Sequence, residues 1–71
     1  MNAVTYTYQG ELNNGIRHGQ GTCVYQDGSQ YNGNWDNDQK NGWGEYTYTN
    51  GDRYEGNWHD NKFHGHGNYT H

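Results

Sequence analysis

Tyr31-Asn32-Gly33-Asn34-Trp35 recurs 23 residues later as Tyr54-Glu55-Gly56-Asn57-Trp58 and, 23 residues earlier, as Tyr8-Gln9-Gly10-Glu11-Leu12. Eleven residues after each leading tyrosine comes Gly-x-Gly, as Gly19 and Gly21, Gly42 and Gly44, Gly65 and Gly67. Cys23, Tyr46 and Tyr69 stand two positions beyond each glycine pair, and Tyr25 and Tyr48 follow in the first two units. Those two units close on Asp27-Gly28 and Asn50-Gly51. A frame repeated at one period organises the whole chain. Residues 1–7 are a lead-in, 8–30 the first unit, 31–53 the second, and 54–71 a third that stops before its closing turn.

Within a unit the marked positions are two apart, the period at which successive side chains of a strand return to one face. Glycine at this density excludes helix. The expected architecture is all-β: an elongated, twisted, single-layer antiparallel ribbon of consecutive hairpins. A three-residue loop Asn50-Gly51-Asp52 predicts Tyr48 opposite Tyr54, Tyr46 opposite Gly56 and Trp58 opposite Gly44. A six-residue polar loop between Leu12 and Gly19, repeated in later units, predicts Trp58 opposite Gly65 and Tyr54 opposite Tyr69. Large rings then roof neighbouring glycines and restore the apolar burial that glycine lacks. The other face reads Glu11, Thr22, Asn32, Glu45, Glu55 and Asn57, a solvated surface with one exception, Trp43.

Composition supports this reading. Only 27% of residues are hydrophobic, and Val4, Leu12, Ile16, Val24 and Phe63 are the whole Leu, Ile, Val and Phe complement. Such a chain would count as disordered, but 17% aromatic residues supply a different kind of core. A net charge of −4 disfavours nucleic acid and anionic lipid as partners. Cys23 is the single cysteine, so no intramolecular disulfide forms and a reducing, cytoplasmic setting is expected. The first residues carry neither a basic region nor an apolar run, so no signal peptide or transmembrane helix is expected.

Residue types that carry chemistry have structural explanations here. Cys23 falls in a buried ring slot with no base beside it, and Ser29 belongs to the Asp27-Gly28-Ser29 turn. The glycine pairs lack the following helix and the Gly-Lys-Ser/Thr sequence of a phosphate loop. His59, His64, His66 and His71 crowd the last thirteen residues. His64 and His66, two apart on a strand, are weak metal candidates, because their spacing matches no defined zinc motif. No catalytic residue and no cofactor is expected. Asn68-Tyr69-Thr70 matches a glycosylation acceptor but needs a secretory route. Arg17, Lys40 and Lys62, read as loop residues, are the cations a lipid surface would use, and Asp36, Asp38 and Asp60 share those loops.

Tyr-x-Gly-x-Trp, a polar loop, Gly-x-Gly, an aromatic and a closing Asp-Gly or Asn-Gly on a 23-residue period resembles the MORN repeat. The resemblance covers residues 8–71. Leu12 in place of Trp, Cys23 in place of a ring, and Asp38 and Asn61 in place of the glycine at Gly15 are its local departures. It implies a hairpin ribbon with an aromatic groove, found mostly in non-enzymatic scaffolds of cytoskeletal, ciliary and junctional assemblies. It also implies two alternatives: phospholipid binding, and a place as the repeat segment of a larger enzyme, since such arrays accompany lipid kinases and a lysine methyltransferase. Protein binding is the expected function, within a cytoplasmic, cytoskeleton-associated assembly. Its expected surfaces are the groove rings Tyr8, Tyr31, Trp35, Tyr54 and Trp58, left partly uncovered by a single layer; Trp43 on the polar face; and the open strand edges. Those edges could receive further repeats or a second copy.

Overall fold

In the computed structural model, which describes residues 5–71, the chain is one six-stranded antiparallel sheet whose spatial order is its sequence order. The strands are β1 (Tyr6–Asn13), β2 (Ile16–Tyr25), β3 (Gln30–Asp36), β4 (Gln39–Thr47), β5 (Arg53–His59) and β6 (Lys62–Thr70). Among the described residues there is no helix. Residues 1–4 of the lead-in lie outside the described residues, and Tyr6 opens β1. The smallest extent is 20 Å, about twice the ~10 Å at which flat sheets stack. The sheet is therefore curled, and its rings gather on the inner side.

Two turn types alternate. The first and second strands of each unit are joined by two-residue turns, Asn14-Gly15, Asn37-Asp38 and Asp60-Asn61, with positive φ at both positions (54° and 78°, 52° and 72°, 49° and 70°). Asn, Asp and Gly tolerate that conformation, and its twist matches the strands. The units are linked by three-residue loops. The Tyr48 N–H donates to the Asp52 carbonyl at 2.8 Å and the Gly51 N–H to the Tyr48 carbonyl at 3.0 Å, with Gly51 at φ 95°. Tyr25, Gly28 and Ser29 repeat the arrangement.

These turns correct four expected pairings, the first of them Tyr48 opposite Tyr54. The loop between units is Thr49-Asn50-Gly51, one residue earlier than expected. Tyr46 therefore faces Tyr54 and Gly44 faces Gly56, rather than Gly56 and Trp58. Tyr54 does face Tyr69, but Trp58 faces Phe63 rather than Gly65. The six-residue loop tightens to two residues, and the remainder is absorbed in a bulge. Between the pairs Gly33–Gly44 and Trp35–Lys40, β3 has one residue and β4 has three. Gly42, at φ 83°, makes that bulge. Each pairing error is a shift of two residues, so every side chain keeps its face. That is why the fold survives a misplaced register.

The second glycine of each pair serves a different purpose. A Cβ on Gly44 would clash with the hydroxyl end of the Tyr31 ring, and one on Gly21 or Gly67 with the same end of the Tyr8 or Tyr54 ring. Tyrosine, rather than tryptophan, roofs the glycines, which corrects the expectation for Trp58: it meets no atom over Gly65. Each of these tyrosines donates its hydroxyl to a carbonyl three residues on: Tyr8 to Glu11 at 2.6 Å, Tyr31 to Asn34 at 2.9 Å and Tyr54 to Asn57 at 3.3 Å. The carbonyl opposite each bulge is thereby satisfied. Cys23, Tyr31, Trp35, Tyr54 and Trp58 form the core, with Tyr8, Tyr25, Tyr46 and Tyr48 packed against it. Edge-on pairs run through it, Tyr31–Trp35 at 5.0 Å and Tyr31–Trp58 at 5.2 Å between centroids. Each contributes about 0.5–1.5 kcal/mol beyond burial.

Candidate functional site: the aromatic face and its cleft

Four of the five expected groove rings are core rather than surface. Tyr31, Trp35, Trp58 and Tyr54 are 0–7% exposed, and Tyr8 alone is half-buried. The cause is the curl: rings two strands apart, such as Tyr31 on β3 and Trp58 on β5, meet and exclude water from each other. What remains open on this face is a second row that the sequence reading did not single out. Tyr25, Tyr46 and Tyr48 are half-buried, with Tyr25 stacked on Tyr46 at 6.1 Å and Tyr46 tilted against Tyr48 at 4.8 Å. Their signal was present in the sequence as the aromatics following each Gly-x-Gly.

The position nine residues after each leading tyrosine, Arg17, Lys40 and Phe63, also turns out to line this face. These are strand residues, paired with Leu12, Trp35 and Trp58 respectively, and Lys62 pairs with His59 at the start of β6, which corrects the reading of Arg17, Lys40 and Lys62 as loop residues. Arg17 places its guanidinium carbon 4.3 Å from the centroid of Trp35 and 4.5 Å from that of Tyr6. Lys40 places its ammonium 5.4–5.7 Å from the centroids of Tyr25, Tyr31, Trp35, Tyr46 and Trp58. Phe63 stacks on Tyr54 at 4.1 Å and remains 50% exposed. Between Lys40 and Phe63 opens a wide, shallow cleft of about 420 Å³, lined also by Tyr46, Tyr48, Trp58, Asn61 and Lys62.

The two half-buried cations differ in their surroundings. Arg17 Nε donates to Asp38 Oδ1 at 2.5 Å, and the Asp38 N–H donates to the Arg17 carbonyl at 2.9 Å. That hydrogen bond, with the guanidinium charge, holds the Asp38 carboxyl below its ordinary range against a small desolvation. One unit on, Asn61 stands where Asp38 stood. The Asn61 N–H donates to the Lys40 carbonyl at 3.1 Å, and the Lys40 N–H donates to Asn61 Oδ1 at 2.9 Å. The backbone clasp is kept, but its counter-charge is gone. Among the described residues no carboxylate forms an ion pair with Lys40. Burial, followed by the nearby charge of Arg17, lowers its pKa.

The remaining sequence candidates separate cleanly. Trp43 is 53% exposed on the polar face, opposite Asn57, and no ring packs on it among the described residues. That face is otherwise a polar ladder, with Thr22 donating to Asn32 at 3.0 Å and Arg53 bonded to Glu45 at 3.0 Å. Ser29 is held by its turn: its hydroxyl donates to Asp27 Oδ1 at 2.6 Å and receives the Tyr46 hydroxyl at 3.1 Å. Cys23 is fully buried, with an Arg17 nitrogen 3.4 Å from its sulfur. His64 and His66 both lie on exposed β6, and the His64 ring is 5.3 Å from that of His59. Among the described residues no three His, Cys, Asp or Glu side chains converge as a metal site, and no helix is long and apolar enough to cross a membrane.

The family model described as MORN repeat matches the chain three times in succession, over residues 8–30, 31–53 and 54–71. Among curated proteins none matches the chain.

Proposed function

Because the chain belongs to the MORN repeat family, whose repeats are generally non-enzymatic and occur in protein-binding or lipid-interacting scaffolds, we propose that it is a protein-binding scaffold module working through its aromatic face. The observation that carries this reading is the row Tyr25, Tyr46 and Tyr48, continued by Phe63 around the cleft. These rings have one side packed on the core and the other open. Tyrosine and phenylalanine in that state offer large contact area at little entropic cost, and aromatic residues are enriched in protein interfaces.

The lipid reading draws less support from the same geometry. Arg17 is bound to Asp38, Arg53 to Glu45, and Lys40 is drawn in among the rings. Lys62 alone would then stand toward an anionic surface, on a chain of net charge −4. The setting that accompanies the scaffold reading is a cytoplasmic, cytoskeleton-associated assembly.

A photo-crosslinking side chain installed at Tyr48, with the same group at Glu55 on the polar face as control, tests the proposal in cells. Protein adducts specific to position 48 are expected. Adducts at neither position, together with tight binding to phosphatidylserine vesicles at physiological salt, would overturn it in favour of the lipid adaptor.

A further inference from the structure

The chain solves the same electrostatic problem in two ways at equivalent positions. At the first junction between units the inward cation, Arg17, receives a carboxylate from the next turn, Asp38. At the second junction the inward cation is Lys40, and the turn residue 23 positions after Asp38 is Asn61. Asn61 adopts nearly the same backbone, φ 70° against 72° at Asp38, so an aspartate would fit there. The result is a half-buried ammonium ringed by five aromatic side chains and lacking the counter-ion that its counterpart has. An unpaired charge withdrawn from water is costly. Rings offset part of that cost through cation–π attraction, but none supplies the hydrogen-bond acceptor that an ammonium takes. Lys40 also opens directly onto the cleft walled by Tyr46, Tyr48, Trp58 and Phe63.

We infer that Lys40 receives a carboxylate from the protein partner, an Asp or Glu side chain with an apolar residue beside it, so that the acid takes the place Asp38 holds at Arg17 and the apolar neighbour lies on Tyr48 and Phe63. The inference rests on the protein-binding reading above and deepens it. Charge complementarity selects the acid and the ring-lined walls select its neighbour. A single extended segment reaches a half-buried ammonium more easily than a flat membrane does, because Asp36 and Asp60 stand at the same end of the hairpins and repel a broad anionic surface.

A random peptide library selected on the intact chain, followed by affinity measurement of the enriched peptides, tests this. Enriched peptides are expected to carry Asp or Glu next to an aromatic or aliphatic residue. They should bind Lys40→Met about tenfold or more weakly, as expected when one member of a desolvated charge pair is removed. Asn61→Asp, which installs an internal counter-ion, should weaken them similarly while the fold is retained, as judged by circular dichroism. Lys40→Arg should retain binding. Enriched peptides without acid enrichment that still lose affinity for Tyr48→Ser would overturn the Lys40 assignment and leave the protein-binding reading standing. Peptides indifferent to both Tyr48→Ser and Lys40→Met would overturn both. Displacement of acidic peptides by phosphatidylcholine–phosphatidylserine vesicles, but not by phosphatidylcholine alone, would reassign the ammonium to a lipid phosphate or carboxylate.

Discussion

The indole N–H of Trp58 donates to the carbonyl of Gly44 at 3.1 Å, and Trp35 makes the same bond to Gly21 at the same distance. Each bond ties one unit to the unit before it, across fourteen residues. It lands on the glycine that the preceding tyrosine roofs. A single glycine thus serves two units: its missing side chain admits a ring from one, and its carbonyl anchors the next. This is the nearest-neighbour coupling on which repeat arrays depend.

Trp58→Ala removes both the ring and this bond from the core and should cost about 3–5 kcal/mol. Trp58→Phe keeps most of the ring but leaves the Gly44 carbonyl without its partner, for about 1–3 kcal/mol. Urea unfolding of the three proteins checks the order. A Phe variant as stable as the parent would mean that the bond contributes nothing.

Glycine substitutions should separate shape from conformation. Gly51 has φ 95° and open space around it, so Gly51→Ala meets only backbone strain, about 1 kcal/mol. Gly44 has no such φ, but its Cβ would clash with the hydroxyl end of the Tyr31 ring, so Gly44→Ala should reach or exceed the roughly 3 kcal/mol upper end of overpacking costs. Thermal unfolding that ranked the turn substitution as the more damaging would contradict the packing described here.

Trp43 projects from the polar face with no ring against it among the described residues, so Trp43→Gln should leave stability within about 0.5 kcal/mol. Its fluorescence should also be the most readily quenched by iodide among the three tryptophans, since Trp35 and Trp58 are buried. Unfolding of the Gln variant would place Trp43 in a core.

Acid should remove the clasp between Arg17 and Asp38. The Asp38 carboxyl is held below its ordinary 3.8 by the Arg17 hydrogen bond. Its contribution is therefore complete above that ordinary value and is lost as pH falls through the lowered one. Asp38 is well exposed, so the size is that of a surface pair, up to about 1 kcal/mol. Asp38→Asn should lower the unfolding midpoint at pH 7, and the difference from the parent should shrink toward zero in strong acid. A difference independent of pH would show that the carboxylate charge plays no part.

The period of 23 residues, carried by Tyr, Gly and Trp at fixed offsets, was enough to determine an all-β chain of hairpins and to assign the side chains of the repeated frame to a face. It also marked Trp43 as exposed and Cys23 as buried. These follow from local chemistry, because a strand alternates faces whatever its partner does, and a register error of two residues leaves the faces unchanged. The actual register did not follow. Gly19, Gly42 and Gly65 could have been spacers in a wide loop, and only the closed two-residue turns at Asn14-Gly15, Asn37-Asp38 and Asp60-Asn61 turn them into bulges that make Arg17, Lys40 and Phe63 strand residues. Which rings are core and which are surface was likewise decided by the curl of the sheet. It brings Tyr31 against Trp58 across an intervening strand, buries the expected groove, and leaves Tyr25, Tyr46 and Tyr48 around an ammonium with no carboxylate of its own. Those contacts join residues far apart in the chain, and their occurrence depends on the accumulated twist of six strands, a property that no single 23-residue unit carries.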